Sequence, residues 1–253
     1  MIDAIVLAGR KNDGKLKEAA PEAEWEALIP IGPQPMVAYV TGALKEAIDG
    51  VVCVVGPEGS TAEAPRALVV PPADSLTANV LAGMTALERQ GRHPQLLLLC
   101  TSDIPMLTPE AVRDLVDRCN QVQADFYYPI VSKEDAEAQY PGVKRTYVRT
   151  KEGTFTGGNI LVVKPEVVRK CLRQAEDFIR YRKSPLKLAT LVGFGIVLRF
   201  FLGSLRIPDL ERRVSRLLGV TGRAVRTPYA AIGVDVDKPS DLALAREVLK
   251  PPA

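Results

Sequence analysis

Short apolar runs alternate with longer amphipathic stretches along most of this chain. The runs are rich in Val, Ile and Leu and are bounded by Gly, Pro or polar residues, which predicts β-strands. Several are apolar throughout, as is typical of parallel strands covered on both faces. The predicted strands are Ala4–Ala8, Val51–Val55, Ala67–Val70, Leu96–Thr101, Phe126–Val131, Asn159–Val163 and Ala231–Val236.

The stretches between these runs have helical periodicity, and Pro109 and Pro165 suit the first turn of a helix. This alternation predicts an α/β fold in three layers, with a mostly parallel sheet between helices. Ligands of such folds bind outside the carboxyl ends of the strands. The predicted helices are Pro35–Ile48, Leu76–Arg89, Pro109–Gln121, Pro165–Asp177 and Asp241–Leu249.

One segment departs from the alternation. Leu186–Leu205 is apolar and about as long as a membrane-spanning helix, but Lys187 and Arg199 interrupt it. Lys164–Arg226 carries roughly fifteen Lys and Arg against about five Asp and Glu. We predict that the segment forms a helix that is either buried within the chain or packed against a partner such as a second copy, with a membrane-surface helix as the alternative. It belongs to a predicted helical insertion at residues 178–228 within a single domain of residues 1–253.

Composition narrows the functional classes. The 253 residues are 47% hydrophobic with a net charge of +3, which is too small to indicate a nucleic-acid partner. The four cysteines form no CxxC pair, so we expect a cytoplasmic protein, peripheral at the membrane if the apolar segment binds lipid. The single histidine, His93, excludes a His-rich metal site.

The first predicted strand ends in a candidate phosphate-binding turn. Gly9 lets backbone N–H groups approach a phosphate, and basic residues that follow would neutralise it. The GxGxxG and GxxxxGK[ST] motifs are missing from the sequence, which disfavours a dinucleotide-binding turn and a P-loop. A solvated basic loop is the alternative. The candidate residues are Leu7, Ala8, Gly9, Arg10, Lys11, Lys15 and Lys17.

Carboxylates mark two other strand ends. Asp103 follows Ser102 at the end of a buried strand, where a carboxylate suits Mg²⁺ and the next Ile-Pro fixes the turn. Asp235 and Asp237 alternate at the end of the last predicted strand and would lie on one side of it. Helix capping competes with the metal role, although Thr108 suits the cap better than Asp103.

Two further stretches offer ligand contacts. Gly158 and Asn159 precede a strand, where a glycine permits close approach and an amide can bind hydroxyl groups; a β-bulge is the alternative. Ser75, Thr77 and Asn79 begin a predicted helix and could hold a base or phosphate, unless Ser75 simply caps the helix. Upstream, Lys144, Arg145 and Arg149 would face an anionic acceptor or solvent.

These pieces in this order resemble the MobA-like nucleotidyltransferases. The matching motifs are IVLAG, ALIPIGPQPMVAYV, TSDIPMLTPEAV, GGNILVVKPE and VDVDKPSDLALA, which together run nearly end to end. The resemblance implies a GT-A-like, Rossmann-related fold. It also implies Mg²⁺-dependent transfer of a nucleoside monophosphate from an NTP, with GTP or CTP expected, to a phosphorylated small molecule, and release of pyrophosphate.

The resemblance also implies roles for single residues. Leu7, Ala8 and Gly9 would hold the nucleotide through their backbone. Asp103 and Asp235 would bind Mg²⁺, and Gly158 and Asn159 would meet the acceptor.

The chain departs from the family pattern in its basic residues. Arg10 stands where the family has glycine, and Glu26 and Gln34 align with two expected lysines. Lys11 and Lys15 are therefore the candidate catalytic cations, together with Asp103. A nucleotide-binding protein without transfer activity, tethered through Leu186–Leu205, is one alternative. The other is an NDP-sugar glycosyltransferase that uses Asp235 and Asp237 as its metal motif.

Overall fold

A nine-stranded mixed sheet forms the centre of the molecule. The computed structural model describes residues 1–60, 67–171, 174 and 193–250. The strands are β1 Ile2–Leu7, β2 Pro30–Ile31, β3 Gln34–Pro35, β4 Val52–Val55, β5 Ala67–Val70, β6 Leu96–Thr101, β7 Phe126–Ser132, β8 Val148–Thr150, β9 Gly153–Gly157, β10 Ile160–Val163 and β11 Gly222–Arg226. The strand order in the central sheet is β5-β4-β1-β6-β10-β7-β9-β8, and β11 also pairs with β7. Strands β2 and β3 form a separate two-stranded sheet.

Helices cover both faces of this sheet, which confirms the three-layer α/β prediction. Side chains alternate along β1, so Val6 packs into the core beneath α1 and α3 while Ile5 packs against α2. Residues 165–171 are also helical and lie on the α2 side. The helices are α1 Met36–Ala47, α2 Leu76–Arg89, α3 Pro109–Asn120, α4 Lys133–Gln139, α5 Phe194–Phe201, α6 Ile207–Leu218 and α7 Pro239–Val248, with 3₁₀ turns at Glu26–Leu28 and Ala230–Ile232.

Apolar runs predicted the central strands well, but one predicted strand is wrong. Residues Ala231–Val236 form the end of a 3₁₀ turn and then an unpaired stretch. The Ile232 carbonyl accepts from Asn159 N at 2.9 Å, and Val236 N donates to the Asp103 carbonyl at 2.8 Å. The segment therefore crosses the carboxyl ends of the strands instead of extending one.

The predicted insertion at 178–228 is only partly helical. Residues 178–192 lie outside the described residues, and α5 and α6 follow them. The insertion then ends in β11, which pairs in parallel with β7, Gly222 opposite Phe126. The sequence prediction missed this strand, the β8–β9 hairpin and the short helix α4.

Part of the long apolar segment is visible as α5. Residues 186–192 lie outside the described residues, as does the end of the predicted helix Pro165–Asp177. Within the described part, α5 has no buried residue, and the packing of this segment against a partner stays a prediction. Among the described helices, none combines the length and the apolar character needed to cross a bilayer.

Candidate active site

The carboxyl ends of β1 and β6 bring the glycine turn and the first carboxylate to one edge of the sheet. The two strands pair in parallel with Leu7 opposite Thr101. Ser102 N donates to the Leu7 carbonyl at 3.2 Å, which continues the pairing one residue further. Gly9 and Asp103 therefore follow neighbouring strands at the edge where α/β folds bind ligands.

Three carboxylates converge at this edge. Asp103, Asp235 and Asp237 each place an oxygen so that the three atoms lie within 4.8 Å of one another. The backbone hydrogen bond from Val236 N to the Asp103 carbonyl sets the spacing of the three carboxylates, because Val236 lies between Asp235 and Asp237 in the chain. The structure therefore brings together the three acids predicted from sequence, with Asp235 in an unpaired stretch and not on a strand.

Burial and mutual repulsion raise the pKa values of Asp103 and Asp235. Burial raises the pKa of Asp103 to about 6, the Thr101 hydroxyl opposes this by donating to its carboxylate at 2.5 Å, and Asp235 and Asp237 add repulsion. Burial also raises the pKa of Asp235, while Arg145 favours its ionised form. Such a cluster gains by binding a cation, which relieves the repulsion.

Two arginines flank the carboxylates. Arg145 forms an ion pair with Asp235 and donates to the Gly157 carbonyl at 3.2 Å, and its buried Nε has no hydrogen-bond partner among the described residues. Arg10 lies opposite, with Nη1 3.2 Å from an Asp237 oxygen. The structure thus places the candidate Arg10 beside the acids. It also places Arg145 there, for which the sequence predicted contact with either an anionic acceptor or solvent.

Glu26 holds Arg10 in place. Its carboxylate, which is almost fully buried, lies 3.2 Å from Arg10 Nε, and Glu26 N donates to the Arg10 carbonyl at 3.1 Å. Burial raises the pKa of Glu26 to about 7, Arg10 opposes this shift, and Asp103 and Asp237 reinforce it. Glu26 therefore titrates nearer to neutral pH than Asp103 does.

Among the described residues, the predicted lysines form no ion pair with Asp103, Asp235 or Asp237. The Lys11 ammonium bonds to Glu24 and lies 4.1 Å from the centre of the Trp25 ring. Lys17 donates to the Pro21 carbonyl at 2.7 Å, and Lys15 is exposed. Lys11 turns away because its strand-like pairing with Trp25 directs it toward that ring.

A loop supported by Asn79 closes one side of the Gly9 turn. A Cβ on Gly9 would lie 2.7 Å from Pro72 Cβ and 3.3 Å from Asn79 Nδ2. Asn79 Oδ1 accepts from Ala73 N at 2.6 Å, so this buried amide holds the loop beside Gly9. Its observed contacts are therefore with the protein's own backbone.

Ser75 caps helix α2. Its hydroxyl accepts from Ala78 N at 3.1 Å and lies 3.1 Å from the hydroxyl of the buried Thr77. We expect Ser75→Ala to lower the free energy of unfolding by about 1 kcal/mol, because the cap bond is lost. Urea unfolding measures this, and Ser75→Asp, which can still cap, should retain most of the stability. Equal stability of Ser75→Ala and the parent protein would contradict the cap.

The two glycines before β10 have a packing role. A Cβ on Gly158 would lie 2.5 Å from Ile232 Cγ2, and one on Gly157 would lie 1.9 Å from the Tyr128 hydroxyl. Asn159 lies between the end of β6 and the 232–236 segment, since its carbonyl accepts from Thr101 N at 3.3 Å and its N–H donates to the Ile232 carbonyl at 2.9 Å. These residues let the 232–236 segment approach β6, which is how Asp235 reaches Asp103.

Comparison with known proteins agrees with this geometry. Residues 22–184 match the MobA-like NTP transferase domain. The chain belongs to this family. A search of curated protein sequences found no match.

Solved structures give this MobA-like chain close and distant neighbours. A hypothetical transferase from Thermus thermophilus is 41% identical, with a TM-score of 0.83 over 95% of this chain and 98% of that one. A nucleotidyl transferase from Methanothermobacter is 16% identical, with a TM-score of 0.58 over 98% and 97%. A CMP:2-keto-3-deoxy-manno-octonic acid synthetase, solved with CTP, is 16% identical, with a TM-score of 0.59 over 98% of each chain. The last two show the shared fold.

The basic residues at the candidate site of this MobA-like chain differ from the pattern that the resemblance predicts. The resemblance predicts lysines at positions 26 and 34, where Glu26 and Gln34 stand, and glycine at position 10, where Arg10 stands. The structure joins two of these departures, because Glu26 holds the Arg10 guanidinium against Asp237. A positive charge therefore remains beside the carboxylates despite the missing lysines.

Proposed function

We propose that this protein is a Mg²⁺-dependent nucleotidyltransferase. It would transfer a nucleoside monophosphate from an NTP to a phosphorylated small molecule and release pyrophosphate. The observation that carries the proposal is the convergence of Asp103, Asp235 and Asp237 beside the Gly9 turn. Family membership supports the transferase class.

The carboxylate cluster fits Mg²⁺. This ion takes hard oxygen ligands at about 2.1 Å, so two oxygens on one ion lie about 3 to 4 Å apart. The observed oxygens, all within 4.8 Å, need only a small movement to reach that spacing. Asp103, Asp235 and Asp237 would hold the ion, which when bound neutralises phosphate charge and stabilises the charge that develops during transfer.

The protein groups would act by positioning and electrostatics. An acceptor phosphate oxygen bonds to the α-phosphorus, and the bond to the bridging oxygen breaks, so pyrophosphate leaves with that electron pair. Backbone N–H groups of the Gly9 turn would hold the phosphates. Arg10, whose guanidinium lies beside Asp237, would donate to a phosphate oxygen. Arg145, between Asp235 and the Gly157 carbonyl, would fix the acceptor side.

CTP or GTP is the proposed donor. The neighbour solved with CTP shares this fold, and family membership points to the same class of substrate. A thermal-shift screen of CTP, GTP, ATP and UTP, each with and without Mg²⁺, tests this choice, because a ligand that binds only the native state raises the midpoint.

Turnover distinguishes the proposed reaction from its alternatives. We expect phosphorus NMR to show two products when NTP, Mg²⁺ and a panel of sugar phosphates are mixed with the protein. One is pyrophosphate, and the other is a diphosphate that joins the nucleoside to the sugar. Binding of NTP without turnover would indicate a non-catalytic nucleotide-binding protein. Cleavage of NDP-sugar in preference to NTP would indicate a glycosyltransferase and would overturn the proposal.

Arg10 is expected to be the catalytic cation. Arg10→Ala should lower kcat/KM about 100-fold, since one charged donor to the developing phosphate charge is lost. Arg10→Lys should recover part of this loss, because the charge remains but the planar pair of donors does not. Steady-state kinetics measure both.

Two further variants show whether a loss of activity in Arg10→Ala is specific to Arg10. Arg89→Ala removes an exposed arginine at the end of α2 and should leave kcat/KM unchanged. Lys11→Ala tests the prediction made from sequence. If it abolishes turnover while Arg10→Ala does not, Lys11 is the catalytic cation and the assignment to Arg10 is wrong.

A further inference from the structure

Helix α5 exposes an unusual density of apolar side chains. Phe194 is 83% exposed and Phe201 is 78% exposed, and Leu198, Phe200 and Leu202 are exposed beside them. These five account for almost half of the exposed large hydrophobic residues in the described part of the chain. Contiguous exposed apolar surface of this kind marks an interaction site.

Arginines lie directly beside this apolar helix. Buried Asp209, at the start of α6, bonds to both Arg199 of α5, at 2.9 Å, and Arg212 of α6. One carboxylate thus holds two guanidinium groups side by side and leaves a net positive charge. Together with Arg206 they line an open depression of about 610 Å³, which Ser204 and Pro208 complete.

We propose that α5 and this depression dock the protein on an anionic lipid bilayer. The phenylalanine and leucine side chains would enter the boundary between headgroups and acyl chains, as interfacial helices do. Arg199, Arg206 and Arg212 would contact headgroup phosphates, for which the guanidinium fork is well suited. The proposal goes beyond nucleotidyl transfer and does not depend on it.

The charge pattern favours a bilayer over a second copy of the chain. In a two-fold symmetric contact, the same patch meets itself, so the arginines of both copies would be brought together. Like charges in an interface are costly, whereas an anionic headgroup layer is complementary to them. The combination of exposed Phe and Leu with neighbouring Arg is the composition of a membrane-surface helix.

The α5 surface is also tied to the sheet that carries the candidate site. Lys151 N donates to the Leu205 carbonyl at 2.8 Å, and Ile207 N donates to Glu152 at 3.1 Å, so the end of the α5–α6 connection nearest α6 bonds to the β8–β9 turn. Strand β9 runs from that turn to Gly157, whose carbonyl accepts from Arg145. Docking at α5 would therefore hold the carboxylate edge at a fixed distance from the bilayer.

Vesicle flotation of the full chain tests the proposal. We expect the protein to float with vesicles of equal parts phosphatidylcholine and phosphatidylglycerol, and weakly or not at all with phosphatidylcholine alone. The double variant Phe194→Ser, Phe201→Ser should bind the anionic vesicles about 100-fold more weakly, because two phenylalanines no longer insert. Arg206→Ala should reduce binding to anionic vesicles about fivefold.

Controls separate docking from folding defects and from dimer formation. Val248→Ser removes an apolar side chain exposed on α7 and should float like the parent protein. Both test variants replace exposed residues and should retain the parent midpoint of thermal unfolding. Failure of the parent protein to float with anionic vesicles overturns the proposal, as does equal flotation of the double variant. A dimer in sedimentation that the double variant loses, without vesicle binding, would assign the face to a second copy.

Discussion

Asp103→Asn should abolish Mg²⁺-dependent nucleotidyl transfer, lowering kcat/KM by a factor on the order of 10³. The carboxylate lies within 4.8 Å of its two acidic neighbours, and an amide oxygen is a weaker ligand for a hard divalent cation. Pyrophosphate release at saturating NTP measures the effect. The Mg²⁺-dependent part of the thermal shift with NTP should disappear as well.

The same variant should fold normally. Because burial raises the pKa of Asp103 to about 6, its ionised form destabilises the metal-free protein at neutral pH, and a neutral amide removes that cost. Asp117→Asn, an exposed acid on the outer face of α3, is the matched control and should retain full activity. Asp103→Asn that keeps a tenth or more of parental turnover would contradict a metal role.

Glu26→Gln should stabilise the metal-free protein increasingly as pH rises from about 5 to about 7. The folded-state pKa of Glu26, about 7, lies above its ordinary value of 4.5, so the folded state binds more protons than the unfolded state in this window. Stability of the parent protein is therefore lost as pH rises through the window. Above pH 7 the gain of the variant relative to the parent should level off at about 2 kcal/mol, because solvent screens part of the effect of the shift.

Urea unfolding at several pH values measures this difference. Glu22→Gln alters an exposed acid in the same segment and should show no such pH dependence. The variant should also hold Arg10 less firmly beside Asp237, because a neutral amide attracts the guanidinium less than a carboxylate does. A flat difference between Glu26→Gln and the parent across this range would show that Glu26 is ionised throughout.

The sequence predicted those parts of the fold that hydrophobic burial determines. Leu96–Thr101 and Ala67–Val70 match observed strands from end to end, because fully apolar runs bounded by polar residues have few alternatives. Residues Ala231–Val236 are as apolar as a strand, but they do not form one. They are largely buried because they cross over the ends of β6 and β10. Burial alone does not distinguish these two arrangements.

Some candidate site residues could be placed from the sequence and others could not, because only some of them are positioned by the sheet. Asp103 and Gly9 could be placed from sequence, because their position at a strand end follows from the parallel sheet. Arg145 and the Glu26–Arg10 pair could not, since their contacts depend on how loops fold over the strand ends. Lys11 and Arg10 are neighbours in the chain with the same charge, and only the pairing of residues 10–12 with 24–26 decides which one faces the acids.

The hydrogen bond from Val236 N to the Asp103 carbonyl has a consequence for biosynthesis. Asp103 leaves the ribosome while Asp235 is still far from being translated, so a nascent chain holds only one member of the acidic triad. On the proposed assignment, all three acids could hold one cation only after about the last tenth of the chain has emerged and folded over the strand ends. Synthesis of the chain would therefore be nearly complete before the site of the proposed reaction is assembled.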